Sequence, residues 1–307
     1  VDSAHWTDWI RQSLRERVGK PRIAGLTVVL DDGITSAGMR DCLQAAAEGI
    51  DFWLLSGCHA VMHSPEWVMD KVSLCQEYGV LACPSGRAFA AALNQDALPA
   101  YIQSVAEGGL RALVMADESE RMSARQRRDV VRRAHALGLL VLSQMPRRAA
   151  SANMDTVIRY LHGDLQAGVD YILLPLQLGP WGTDDLWWGR QKRRLTNILE
   201  GVGPLQNRLI LKTPCRLLQF RLLTELGTKL NLGDVAPESV IVLEGLRRGV
   251  DPEWVWVKEA ADEPGVEPTP SPVDASSPRP RADNAGPVIW LDGRRGSSGR
   301  RRRDAPS

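Results

Sequence analysis

From residue 25 onward, short unbroken apolar runs alternate with stretches in which apolar residues recur every three or four positions. The runs at 26–30, 52–55, 80–83, 112–115, 139–142, 171–174, 209–211 and 229–232 predict strands. Their continuous hydrophobicity is that of strands covered on both faces. Amphipathic patterns at 37–48, 65–78, 98–107, 124–136, 154–166, 191–199, 217–225 and 237–246 predict the helices between them. Gly49, Gly79, Gly138, Gly168 and Gly227 each follow a predicted helix, where a left-handed C-terminal cap is expected. Eight strand–helix repeats over roughly 220–230 residues fit an α/β fold of the (β/α)8 TIM-barrel type. An open doubly wound sheet is the rival, but no GxGxxG follows the first strand.

The pattern changes at both ends. Residues 1–20 are expected to hold a capping helix over 4–18, with Trp6, Trp9, Ile10 and Leu14 on its apolar face. The barrel is expected to fill 21–258. Beyond it, prolines interleave with Ser, Asp and Glu, and arginines then cluster among Gly and Ser, so 259–307 is predicted to be a disordered Pro/Ser/Arg-rich tail. Its apolar clump Val288-Ile289-Trp290-Leu291 could dock on a partner.

Composition narrows the function classes. An apolar fraction of 44% and a charged fraction of 24% are those of a globular protein with a real core. The net charge of +1 includes the Arg-rich end, so the rest is near neutral and gives no reason to expect a nucleic-acid partner. No apolar run is long enough to span a bilayer. Five scattered cysteines without a CxxC pair read as reduced thiols in a cytoplasm rather than a disulfide framework or zinc site.

Barrel chemistry belongs at the C-terminal ends of the strands. There the sequence offers Asp31 and Asp32, then Ser56, Cys58 and His59, then Ser85, Gly86 and Arg87. Asp117, Glu118, Gln144, Gln177, Lys212, Asn231, Gly233 and Asp234 continue the ring. Lys212 ends the seventh strand beside the Leu232-Gly233-Asp234 run, where a glycine break could free backbone N–H groups for a phosphate. Lys212 is therefore expected to clamp an anion; a salt bridge to Asp31 or Asp234 is the plainer alternative, and a Schiff base a third. Arg87 could fork onto a carboxylate or sulfonate, with Ser85, Gln144, Asn231 and Gly233 as further substrate contacts. Asp31 and Asp117 are the aspartates expected to bind a metal or move protons, although Asp31 could equally be a turn residue. His59 could act as a general acid. The aromatic loop at 179–190, with Trp181, Trp187 and Trp188, suits a lid, a face between copies in a homo-oligomer, or packing on the outer helices.

The order and spacing of several segments resemble the phosphosulfolactate synthase family. They are Gly25-Leu26-Thr27-Val28-Val29-Leu30-Asp31-Asp32-Gly33, Gly49-Ile50-Asp51-Phe52, Glu77-Tyr78-Gly79-Val80, the run Asp164 to Tyr171, and Asn231-Leu232-Gly233-Asp234-Val235 with Leu243-Glu244. The resemblance implies a barrel that adds sulfite to phosphoenolpyruvate with magnesium, making a carbon–sulfur bond. It also exposes departures: lysines of the family pattern fall at Asp32 and near Leu54, acidic positions at Val114, Gln144, Pro175 and Lys212, and an arginine at Gln177. Two readings follow. One is a lyase acting on a small phosphorylated or carboxylated metabolite, possessing the family reaction or a repurposed one; the other is a barrel that only binds a ligand or protein.

Overall fold

A computed structural model of the chain describes residues 15–57, 62–176 and 185–250. All of them lie within one compact unit, Val1–Lys258. Eight parallel strands run β1 Thr27–Asp31, β2 Phe52–Leu55, β3 Leu81–Pro84, β4 Ala112–Ala116, β5 Leu140–Gln144, β6 Tyr171–Pro175, β7 Leu209–Lys212 and β8 Asn231–Val235. The ladder order is β3-β2-β1-β8-β7-β6-β5-β4, so β3 and β4 meet at a seam. A backbone bond from Arg111 N–H to the Ala82 carbonyl, 3.1 Å, reaches across it. The fold is thus a nearly closed (β/α)8 barrel, as the alternating pattern predicts.

Helices α1 Ser36–Ala46, α2 Pro65–Glu77, α3 Gly86–Asn94, α4 Leu98–Glu107, α5 Ala124–Ala136, α6 Arg147–Ala150, α7 Met154–Ala167, α8 Asp185–Val202, α9 Arg216–Leu226 and α10 Val240–Arg247 cover the outside. Their starts follow from local chemistry. Thr35, Ser64, Ser123 and Asn153 each place a side-chain oxygen on a backbone N–H of the first turn, and Ser123 with Gln126 makes a reciprocal capping box. Two of these helices were not predicted. α3 directly follows Pro84-Ser85, which reads as a turn, and α6 is a single turn too short to show a period.

Along the strands, β8 apart, side chains alternate between two cores. Leu26, Val28, Phe52, Leu54, Cys83, Ala112, Val114, Leu142, Leu173 and Ile210 fill the barrel interior. Val29, Trp53, Leu113, Met115, Val141, Ile172, Leu174, Leu209 and Leu211 instead face the helices. Burying both faces of every strand is why the runs are continuously apolar.

Three expectations need correction. Residues 15–18 are not helical: Arg15 N–H bonds the Arg248 carbonyl, and the Arg17 guanidinium bonds both Glu244 and the Gly25 carbonyl. That tether fastens the segment to the end of α10 and the start of the barrel; the remainder of the expected N-terminal helix, and the 259–307 tail, lie outside the described residues. Gly168 caps α7 in the left-handed region as expected (φ 95°), but Gly49 has no positive φ and closes a 3-10 turn, Ala47–Gly49. The last strand begins at Asn231 and runs through Gly233 to Val235, so the glycine does not break it.

Candidate active site

The C-terminal ends of the strands open into a cavity of about 1070 Å³. Leu30, Leu54 and Leu173 form its floor, and Asp32, Ser56, Ser85, Arg87, Glu118, Gln144, Arg147, Lys212 and Asp234 bring polar groups to its walls. Three cations, Arg87, Arg147 and Lys212, therefore face three carboxylates, Asp32, Glu118 and Asp234.

Strand parity decides which residues reach this cavity. On β1, Val28 and Leu30 point inward, so the next inward position is Asp32, while Asp31 shares the outer face with Val29. On β4, Ala112 and Val114 point inward and Glu118 continues their side, while Asp117 follows Leu113 and Met115 outward. Each outward aspartate is spent on structure. Asp31 accepts from Gly33 N–H (2.8 Å), Ile34 N–H (3.1 Å), Trp53 Nε1 (3.0 Å) and the buried Lys71 Nζ (2.5 Å). Asp117 accepts from Arg121 N–H (3.0 Å) and Met122 N–H (2.8 Å), with Arg127 Nη1 4.0 Å away. Arg127 in turn forks onto Asp164 at 2.7 and 2.8 Å and donates to Ser143 Oγ and Tyr160.

The structure therefore does not bring the expected metal pair together at the cavity: Asp31 and Asp117 are buried, bonded to the scaffold and turned from it. Among the described residues, no three His, Cys, Asp or Glu side chains gather as a metal nest. Of the cavity acids, Asp234 is held by Lys212 and Glu118 accepts from Gln144 Nε2 at 2.7 Å, which leaves Asp32, exposed at the rim, as the one carboxylate without such a bond among the described residues. The described residues thus do not fit a magnesium ion held by two free carboxylates.

The other candidates divide. Ser85, Arg87, Gln144 and Lys212 do line the cavity. Ser85 accepts from Gly57 N–H at 2.9 Å, which ties the end of β2 to the start of α3. Asn231 does not reach the rim. As the first residue of β8 it lies at the opposite end of the barrel, accepting from Leu26 N–H and donating to the Asn207 and Leu209 carbonyls. Gly233 offers no freed loop: it sits inside β8, and its carbonyl accepts Thr213 N–H at 2.7 Å. It must nonetheless be small, since a Cβ there would come within 3.0 Å of Ile210 Cγ2. His59, Gln177 and the Trp181 part of the aromatic loop lie outside the described residues.

Lys212 Nζ is 3.2 Å from Asp234 Oδ2, with the two side chains 23% and 18% exposed. This is the plainer pairing weighed from the sequence, yet the cavity around it stays open. Desolvation pushes the Asp234 carboxyl above its ordinary value; Lys212 opposes that shift, Asp32 adds to it, and Arg147 opposes it from across the cavity. Arg147 was missed in the sequence, where its only signal is a Pro-Arg pair directly after the fifth strand.

An open polar cavity at the C-terminal ends of eight barrel strands is where enzymes of this architecture carry out their chemistry. Sequence comparison narrows the class. Residues 15–252 match the model of the (2R)-phospho-3-sulfolactate synthase (ComA) family, and the chain belongs to that enzymatic family, whose named members are lyases. It is 26% identical over 235 residues to the phosphosulfolactate synthase of Methanocaldococcus jannaschii, spanning 74% of this chain and 92% of that one. It is also 26% identical over 243 residues to that of Methanothermobacter thermautotrophicus, spanning 76% and 92%. Among solved structures, the YdjI aldolase from Escherichia coli K12 shares the fold at 13% identity, with a TM-score of 0.51 over 76% of this chain and 89% of that one. No helix among the described residues is long and apolar enough to cross a membrane.

Proposed function

We propose that this chain is a lyase that joins sulfite, or a nucleophile like it, to a small phosphorylated carboxylate such as phosphoenolpyruvate. The observation behind this reading is the convergence of Arg87, Arg147 and Lys212 on one cavity at the barrel mouth. A molecule carrying both phosphate and carboxylate needs two separated cationic contacts, and the two arginines add planar forks to the Lys212 point charge. Ser85 and Gln144 supply hydroxyl and amide groups between them. The leucine floor excludes water from beneath the bound anion, which strengthens each charge contact.

Asp234 stands 3.2 Å from Lys212, so a bound anion would share the ammonium with a carboxylate already beside it. Residue-held magnesium is no part of the proposal, because Asp31 and Asp117 are committed to the scaffold. A cytoplasmic location agrees with the free thiols of Cys42, Cys75, Cys83 and Cys215.

Purified protein given phosphoenolpyruvate and sulfite should yield a phosphorylated sulfonate detectable by mass spectrometry. Lys212→Ala should weaken phosphoenolpyruvate binding about ten- to a hundredfold, the range for losing a charge-assisted hydrogen bond. Wild-type protein that forms no product, and whose affinity for phosphoenolpyruvate is unchanged by Lys212→Ala, would rule the reading out.

A further inference from the structure

The register of β8 carries a clue to the proton chemistry of the mouth. Against β1, Thr27 pairs with Leu232 and Val29 pairs with Val235. Between these pairs β1 advances by two residues (27 to 29) and β8 by three (232 to 235), so β8 holds one extra residue. That bulge resets the alternation: Leu232 and Val235 both face the outer core, although residues three apart on a regular strand would face opposite ways. The displaced residue is Asp234, whose φ is 55°, a left-handed value that non-glycine residues rarely adopt. On a regular strand Asp234 would share the outward face with Leu232. Through the bulge its carboxylate instead joins the cavity wall beside Lys212. A left-handed residue inside a strand, whose effect is to re-aim one acid, is the kind of irregularity found where a fold positions chemistry.

Elimination among the described groups lining the cavity leads to the same residue. Among the described residues, no His, Cys or Tyr lines it. Arginines keep their protons at any ordinary pH, which sets aside Arg87 and Arg147. Glu118 is already engaged as an acceptor, taking Gln144 Nε2 at 2.7 Å and Arg147 N–H at 3.4 Å. Lys212 is the ammonium that would hold the anion. Asp32 and Asp234 remain, near enough for their charges to repel, and Asp234 is the more desolvated, which raises its affinity for a proton.

We infer that Asp234 is the catalytic acid of the mouth, delivering its proton to the carbon that becomes electron-rich as the new bond forms. This inference rests on the proposed lyase reading. In its phosphoenolpyruvate form the sulfur lone pair of sulfite bonds the methylene carbon. The carbon–carbon π pair moves to the carbon bearing phosphate and carboxylate. That carbon takes the Asp234 proton, and the O–H pair stays on the carboxylate. A proton from solution then restores Asp234, so each addition of sulfite dianion takes up one proton overall; nothing is oxidised or reduced. Lys212 faces Asp234 from β7, Asp32 from the β1 loop and Arg147 from α6, so these are the charges that set when Asp234 takes up its proton.

Two measurements test this on the full chain. Carbon-13 NMR of protein labelled at its aspartate carboxyls identifies the Asp234 signal by its absence in Asp234→Asn; it should titrate above the ordinary aspartate value of 3.8. A signal titrating at or below that value overturns the inference whatever the reaction proves to be. In turnover of phosphoenolpyruvate and sulfite, Asp234→Asn should lower kcat about a hundredfold or more while KM changes little, the range for losing a general acid. Asp234→Glu should recover part of the loss, because a carboxyl is restored. An Asp234→Asn rate within threefold of wild type overturns the assignment. A wild-type protein with no turnover removes the lyase reading and with it the catalytic step, and the NMR titration then reports only whether the carboxyl holds a proton.

Discussion

Removing the ammonium of Lys71 should be among the most damaging single changes available in this barrel. Lys71 is fully buried on α2, where it meets Asp31 Oδ2 and the Ile34 carbonyl, each at 2.5 Å, and lies 4.0 Å from the centre of the Trp67 ring. Lys71→Met keeps the stem and deletes the charge. Asp31, 1% exposed, would keep its bonds from Gly33, Ile34 and Trp53, but no cation would remain to balance it. Breaking a buried pair from one side costs about 3–5 kcal/mol. Three surviving hydrogen bonds place the expectation near the lower end, at about 3 kcal/mol. For a domain of this size that is a fall of roughly 6–12 °C in melting temperature. Urea denaturation of wild type, Lys71→Met, Asp31→Asn and the double variant gives both the loss and the coupling between the two residues. The coupling should exceed about 1 kcal/mol, because contacting residues of one network are not additive. A Lys71→Met loss below about 1 kcal/mol would show that the pair adds little to the fold, as surface pairs do. The Asp32 loop would loosen as well, because Asp31 and Lys71 between them hold its backbone at Gly33 and Ile34.

Two further outcomes follow from the same structure. Gly86→Ala would bring a Cβ to 2.6 Å from Ala116 Cβ, a clash between atoms fixed to two backbones, and should cost about 1–3 kcal/mol in chemical denaturation; a change below about 0.5 kcal/mol would show that α3 can shift freely. The raised Asp234 carboxyl adds stability that is complete below its unfolded value, near 3.8, and is lost as pH climbs through its folded value. Asp234→Asn cannot ionise, so its melting temperature should gain on that of wild type as pH rises from 4 toward 7; a difference that shrinks over that interval would refute the sign.

The sequence carried the architecture because each strand is apolar on both faces and each helix has one apolar stripe, patterns that survive without knowledge of contacts. The site was less legible, for reasons that can be named. Asp31 and Asp117 stand at strand ends and look available; only counting alternation from Val28 and Ala112 shows that their neighbours Asp32 and Glu118 face the cavity. Asn231 was placed at the wrong end because the eighth strand was drawn at 229–232, two residues early at its start. The bulge that re-aims Asp234 did leave a trace, since Gly and Asp are uncommon inside strands and an isolated glycine there can mark a bulge, but the same pair reads equally as a strand end. Arg147 escaped because a single helical turn has no period. The family resemblance led to the correct family while leaving these local geometries open.

The meeting of β3 and β4 has one more implication. Seven ladders join the strands in series, so these two are the free ends of a single ribbon, and the hoop is fastened where no ladder runs. Besides the Arg111–Ala82 backbone bond, its clasp has Gly86 at the start of α3 pressed against Ala116 of β4. Arg87 stands on one side of that clasp and Glu118 on the other. The width of the mouth between them is therefore governed by how closely one helix can lie on one strand, and a residue without a side chain sets that limit.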